Sequence, residues 1–158
     1  MIALVIGVIL LGATVSAKAY APTNKVEADL NGFQQVPPVL TNGRGTFTAT
    51  ISRHSISYKL TYSGLSSSVT AAHIHFAQPG VNGGVIAFLC GGGGKPACPS
   101  NGVTGTITVA DILAVPTQGL AVGNFAGAVR AIQNGSTYVN VHTVLFAEGE
   151  IRGQINQD

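Results

Sequence analysis

The sequence predicts an all-β antiparallel fold, of sandwich or barrel type, with one short helix. Three observations carry this reading. Short runs rich in β-branched and aromatic residues alternate apolar with polar positions, which is the period of a half-buried strand. Helical periodicity is not sustained beyond a single segment. Turn residues separate the runs, and 21 glycines in 158 residues supply the tight turns that many short strands require.

Taken in order, the first run covers residues 26–33. Gln34-Gln35-Val36-Pro37-Pro38-Val39 follows as an extended stretch, because each proline fixes its own φ and biases the residue before it. Residues 46–52 alternate, with Phe47, Ala49 and Ile51 on one face. Arg53-His54-Ser55 reads as a hairpin tip, which places His54 on the surface. Ile56, Tyr58, Leu60 and Tyr62 then alternate on the return strand, and residues 64–68 form a loop. Residues 71–76 make the next strand, before the turn signal Val81-Asn82-Gly83-Gly84. Residues 85–89 and 102–109 are further strands. The one helix runs from Asn124 as N-cap through Gln133, closed by Asn134-Gly135 in a left-handed cap. Residues 137–143 and 150–155 are the closing strands.

Residues 2–17 carry no charge and are followed by Ala17-Lys18-Ala19, a small-x-small cleavage pattern. Residues 1–19 therefore read as a signal peptide, and residues 20–158 as one domain. The apolar run is short for a permanent span, which needs about 20 residues. No basic residue precedes it, and an uncleaved anchor is the alternative reading. Export directs the protein to a secreted, periplasmic or cell-surface location. The net charge of +2 falls toward neutrality once Lys18 is removed, which offers no footprint for nucleic acid or an anionic membrane. Cys90 and Cys98 flank a flexible glycine-rich loop, and two cysteines in an exported chain favour a disulfide worth about 2.6 kcal/mol in the chain-entropy model. Free thiols or soft metal ligands are the alternative.

The chemistry concentrates in histidines. In Ala72-His73-Ile74-His75-Phe76 strand alternation puts His73 and His75 on one face and Ala72, Ile74 and Phe76 on the other. In Tyr138-Val139-Asn140-Val141-His142-Thr143 the same parity sends Val139 and Val141 to the core and Tyr138, Asn140 and His142 to the polar face. Ile151 and Ile155 point inward on the last strand, with Glu150, Arg152 and Gln154 outward. If the two histidine strands are neighbours, His73, His75 and His142 converge, and three neutral imidazoles suit copper or zinc. Tyr138, Asn140, Glu150 and Arg152 are candidates to orient those imidazoles. Glu150 and Arg152, two apart, read as an ion pair, or else Arg152 guides an anion toward the metal. The competing reading of the whole face is a metal-free polar sheet surface. No nucleophile elbow, phosphate loop or carboxylate pair is present, so no catalytic residue is assigned.

Residues from about 26 to 155 resemble the CHRD domain, named after chordin. The matching pieces are Asn31-Gly32-Phe33-Gln34-Gln35-Val36-Pro37-Pro38-Val39, Ala72-His73-Ile74-His75 with Pro79-Gly80-Val81-Asn82-Gly83, Tyr138-Val139-Asn140-Val141-His142-Thr143 and Gly149-Glu150-Ile151-Arg152-Gly153-Gln154-Ile155. The resemblance implies an immunoglobulin-like β-sandwich with a distant likeness to copper/zinc superoxide dismutase. His73-Ile74-His75 looks like that enzyme's copper strand, which favours copper over zinc. The chain has no counterpart of the bridging histidine or of the zinc loop, so the implied site is mononuclear. Two other functions are implied. Chordin binds growth factors, which suggests a metal-free extracellular interaction or matrix module. The copper strand suggests a redox enzyme.

Overall fold

The structure is a computed structural model and describes residues 24–158. The segment read as a signal peptide lies outside the described residues. The strands are β1 (Lys25–Asn31), β2 (Arg44–Ile51), β3 (Ile56–Ser63), β4 (Val69–Phe76), β5 (Gly84–Cys90), β6 (Gly102–Ile107), β7 (Thr137–Thr143), β8 (Ile151–Gln154) and β9 (Asn156–Gln157). One helix, α1 (Phe125–Gln133), stands between β6 and β7. Three 3-10 turns were not anticipated, at Gly32–Gln34, Val109–Asp111 and Pro116–Gln118. The first two cut short the strands expected to reach residues 33 and 109.

All pairings are antiparallel and follow one path, β5-β4-β7-β8-β1-β2-β3-β6, with β9 added to β1. The sheet curls into a near-barrel, whose opposed halves serve as the two layers of the expected sandwich. Alternation explains the interior. β1, β2 and β3 bury every second residue, so Val26, Ala28, Leu30, Phe47, Ala49, Ile51, Ile56, Tyr58, Leu60 and Tyr62 share one core with Ala72, Ile74, Val139, Val141, Ile151 and Ile155. His54 is exposed on the hairpin between β2 and β3, as expected.

The terminal strands β5 and β6 do not pair, and several contacts bridge the seam between them. Tyr58 Oη donates to the Leu89 carbonyl at 2.7 Å. The Leu113 amide donates to the Ile86 carbonyl at 2.9 Å. The disulfide Cys90–Cys98 closes the loop leaving β5. From that loop Lys95 Nζ donates to the Thr106 carbonyl and pairs with Asp111 at 2.8 Å.

Helix α1 has the predicted bounds. Asn124 Oδ1 accepts from the Gly127 amide at 2.9 Å. At its end the Ser136 and Gly135 amides return to the Ala131 and Ile132 carbonyls, a Schellman closure that requires Gly135 at φ +68°.

Tyr58→Phe removes the hydroxyl that reaches across the seam to the Leu89 carbonyl. The expected loss is about 1–2 kcal/mol in urea unfolding, with an unchanged m-value.

Candidate metal centre

The site begins with the register between β4 and β7, in which His73 faces Asn140, His75 faces Tyr138 and Ala71 faces His142. Strand parity then sends all three imidazoles to the sheet's outer face, with Ile74 and Val139 on the inner one. The β4–β5 pairing is irregular on both sides of His73 and Ile74, and it sets Phe88 of β5 beside His73. Ring centroids stand 4.6 Å apart for His73–His142, 5.4 Å for His73–His75 and 6.3 Å for His75–His142. One nitrogen from each ring lies within 4.8 Å of the others.

Backbone carbonyls orient two of the rings. His75 Nδ1 lies 3.0 Å from the Gly83 carbonyl, and His142 Nδ1 lies 2.8 Å from the Ala147 carbonyl. A carbonyl accepts only, so each Nδ1 carries the proton and each Nε2 keeps its lone pair. The buried ring nitrogens without a partner are His75 Nε2, His142 Nε2 and His73 Nδ1. Buried polar atoms are normally hydrogen-bonded, so three orphans in one cluster call for a ligand. A tetrahedral ion bound at about 2.0–2.1 Å spaces its nitrogens about 3.3 Å apart, inside the envelope seen here.

The rings are neutral at ordinary pH. Burial pushes His73 down to about 3, with repulsion from His142 and then His75 adding to it. Burial takes His75 to about 4 against the Gly83 carbonyl, with His142 and Arg152 adding their repulsion. Burial also lowers His142, although the Ala147 carbonyl and the Glu148 charge oppose it. Neutral imidazole is the metal-binding form.

The residues expected to support the histidines divide. Tyr138 stacks on His75 at 4.7 Å and 5°, and the Arg152 guanidinium sits 3.5 Å from the other face of the Tyr138 ring. Asn140 touches the site through a loop: its Oδ1 accepts from Gln35 Nε2 at 2.6 Å, and its Nδ2 donates to the Glu148 carbonyl. That anchors the segment carrying the Ala147 carbonyl. Gly149, at φ +119°, must lack a side chain, because a Cβ there would overlap the Asn140 and Gln35 amides.

The expected ion pair of Glu150 and Arg152 is not formed. Glu150 precedes β8, and its carboxylate accepts from Thr41 Oγ1, the Ser66 amide and hydroxyl, and Thr143 Oγ1 at 2.6–2.9 Å. Burial alone would raise its pKa, and these donors outweigh that and hold it below the usual carboxylate range. Arg152 is 1% exposed, so its outward direction is not a solvent-facing one. Its guanidinium donates to Asn82 Oδ1 and to the Gln78 and Val81 carbonyls. These bonds hold residues 78–82. The polar face is buried because this loop, residues 35–41 and residues 144–149 roof it.

Sequence reasoning missed the Gly83 and Ala147 carbonyls, Gln35, Asn82 and Phe88. A backbone acceptor leaves no mark in residue type. Phe88 needed the irregular β4–β5 register to be known. A separate cleft beside α1, lined by Phe76, Gln118, Arg130 and Asn134, contains none of the three histidines.

Among the described residues no helix is long and apolar enough to cross a membrane. A family model described as the CHRD domain matches residues 26–155. Searches of the curated proteins and of the solved structures found no match.

The unfolded chain protonates its histidines near pH 6.5, whereas folded His73 and His75 resist until about 3 and 4. Between those values the unfolded state binds more protons, so acid favours unfolding. The melting temperature of the metal-free protein should fall from pH 6.5 to pH 5, before carboxylates titrate. His73→Gln should flatten that slope, and a flat wild-type profile would contradict the buried neutral rings. Replacing Glu150 by Ala should cost about 2–3 kcal/mol in chemical denaturation, since four donors lose a charged acceptor.

Proposed function

The chain belongs to the CHRD domain family, and from that membership and its histidine geometry we propose that it holds a single copper or zinc ion through His73, His75 and His142. The observation that carries the reading is the convergence of three imidazoles from two strands, one nitrogen of each within 4.8 Å of the others, with a buried unpartnered nitrogen on every ring. Among the described residues no thiolate or carboxylate joins the cluster, and an all-imidazole set suits copper and zinc. Copper is preferred, because divalent copper binds nitrogen sites more tightly than zinc. A bound ion there supplies Lewis acidity or, as copper, one-electron chemistry. The chain's own residues fix donor direction through Gly83 and Ala147, and they exclude water from one side of His75 through the Tyr138–Arg152 stack. The protein acts outside the cytoplasm in this reading, where the Cys90–Cys98 disulfide persists.

A second reading is a metal-free interaction module. It draws on exposed apolar side chains near the roofed face, Phe33, Leu40, Val144 and Leu145, which are 64–86% accessible. A partner captured by this surface would be indifferent to chelator and to His73→Ala.

Elemental analysis of the purified protein after reconstitution decides between them. About one equivalent of copper or zinc is expected. His73→Ala and His142→Ala should each weaken binding by more than about 100-fold, beyond what losing a supporting hydrogen bond costs. Less than about a tenth of an equivalent in the wild type would end the metal reading.

A further inference from the structure

His73 differs from its two companions in how it is held. His75 and His142 each have Nδ1 against a carbonyl, but neither nitrogen of His73 has a hydrogen-bond partner among the described residues. Its ring is fixed by packing alone. The closest ring contact is with Phe88, near-perpendicular with centroids 4.5 Å apart at 79°, followed by His142 at 4.6 Å.

Phe88 is itself clamped. The loop after β5 lies on its ring, and a Cβ on either Gly92 or Gly93 would overlap ring carbons. Gly91, Gly93 and Gly94 all have φ between +56° and +77°, a curvature that other residues rarely adopt. The loop cannot lift freely. The Gly91 amide donates to the Pro96 carbonyl at 2.7 Å, and the Lys95 amide to the Gly92 carbonyl at 2.9 Å. The Cys90–Cys98 disulfide closes the ring of atoms, and Lys95 ties it to β6 and Asp111. The glycine run thus has a packing reason: it lets the backbone lie flat on an aromatic ring.

We propose that Phe88 is the positioning residue for His73, and that the disulfide-closed glycine loop acts on the metal site through the Phe88 ring. The proposal rests on the three-histidine reading above. Phe88 does for His73 what the Gly83 and Ala147 carbonyls do for the other two rings. Without it, the side chain of His73 rotates and the third donor is present only part of the time.

The test uses the whole protein with copper(II) as the probe. Affinity is measured by chelator competition, and the ligand field by electron paramagnetic resonance. Phe88→Ala should weaken copper(II) binding by about 10–100-fold and alter the resonance spectrum, because outer partners of ligating imidazoles have effects of that size. Phe88→Tyr keeps the ring and should stay within about threefold of wild type. Cys90→Ala with Cys98→Ala should weaken binding in the same direction, and should add nothing in the Phe88→Ala background, since both act through one ring. Full additivity of the two effects would overturn the route through Phe88.

In metal-free protein, nuclear magnetic resonance of the His73 ring should show one ring orientation for wild type, and averaging for Phe88→Ala. If Phe88→Ala fails to fold, Phe88→Leu is read in the same way. Unchanged copper affinity together with unmoved His73 ring signals sinks the proposal. A wild type that binds no copper or zinc sinks the metal reading instead, and the His73 ring signals then decide the clamp on their own.

Discussion

The antiparallel register between β4 and β7 is the constraint on which the rest of this face depends. Opposing His73 to Asn140 and His75 to Tyr138 leaves Ile74 opposite Val139 and Ala72 opposite Val141 on the other side. Those four apolar residues have at most 1% exposure, so the core side fixes the register. A slip by one residue would drive two imidazoles into the core and expose Ile74. The hydrophobic interior therefore aims the histidines without touching them.

The second constraint is that β7 is buried on both faces. A strand that is polar on one side normally turns that side to water. Here loops cover it, and each buried polar group needs a partner in place of water. Asn140 finds Gln35 and the Glu148 carbonyl, Arg152 finds three acceptors in residues 78–82, and Glu150 finds three side chains and an amide. The same loops deliver the Gly83 and Ala147 carbonyls to His75 and His142. Anchoring the roof and orienting the rings are one act, because the anchors and the ring acceptors lie within a few residues of each other. Three imidazole nitrogens, one on each ring, stay unmatched in a layer where Asn140, Glu150 and Arg152 all find partners, and this clustering on the histidines separates the site from an ordinary polar surface.

The stack of Arg152, Tyr138 and His75 joins these two constraints. Arg152 belongs to β8, Tyr138 to β7 and His75 to β4, three neighbouring strands in the sheet. Alternation puts them on one side, and the spacing between strands lets the planar groups lie face to face. A cation on the Tyr138 ring is stabilised by the ring's electron density. Its charge also opposes protonation of His75, which keeps that ring in the form a metal ion needs.

Much of the fold was already present in local pattern. The alternation at Phe47, Ala49 and Ile51 and at Ile56, Tyr58, Leu60 and Tyr62 placed β2 and β3, and the Asn124 cap with Asn134-Gly135 bounded α1. Parity alone put His73 and His75 on the polar face of one strand and His142 on that of another, because side-chain direction along a strand is a property of the backbone; the β4–β7 pairing made those faces one. What only the tertiary structure decided was which chain segments close over that side. The pairing of Glu150 and Arg152 inferred from a two-residue spacing gave way to other partners, several of them far along the chain, such as Asn82 for Arg152 and Thr41 for Glu150. The acceptors that orient the rings are backbone carbonyls, identical at every position of any sequence. Residue type records what a side chain can do. Only the packed chain determines which carbonyl or aromatic ring comes to lie against it.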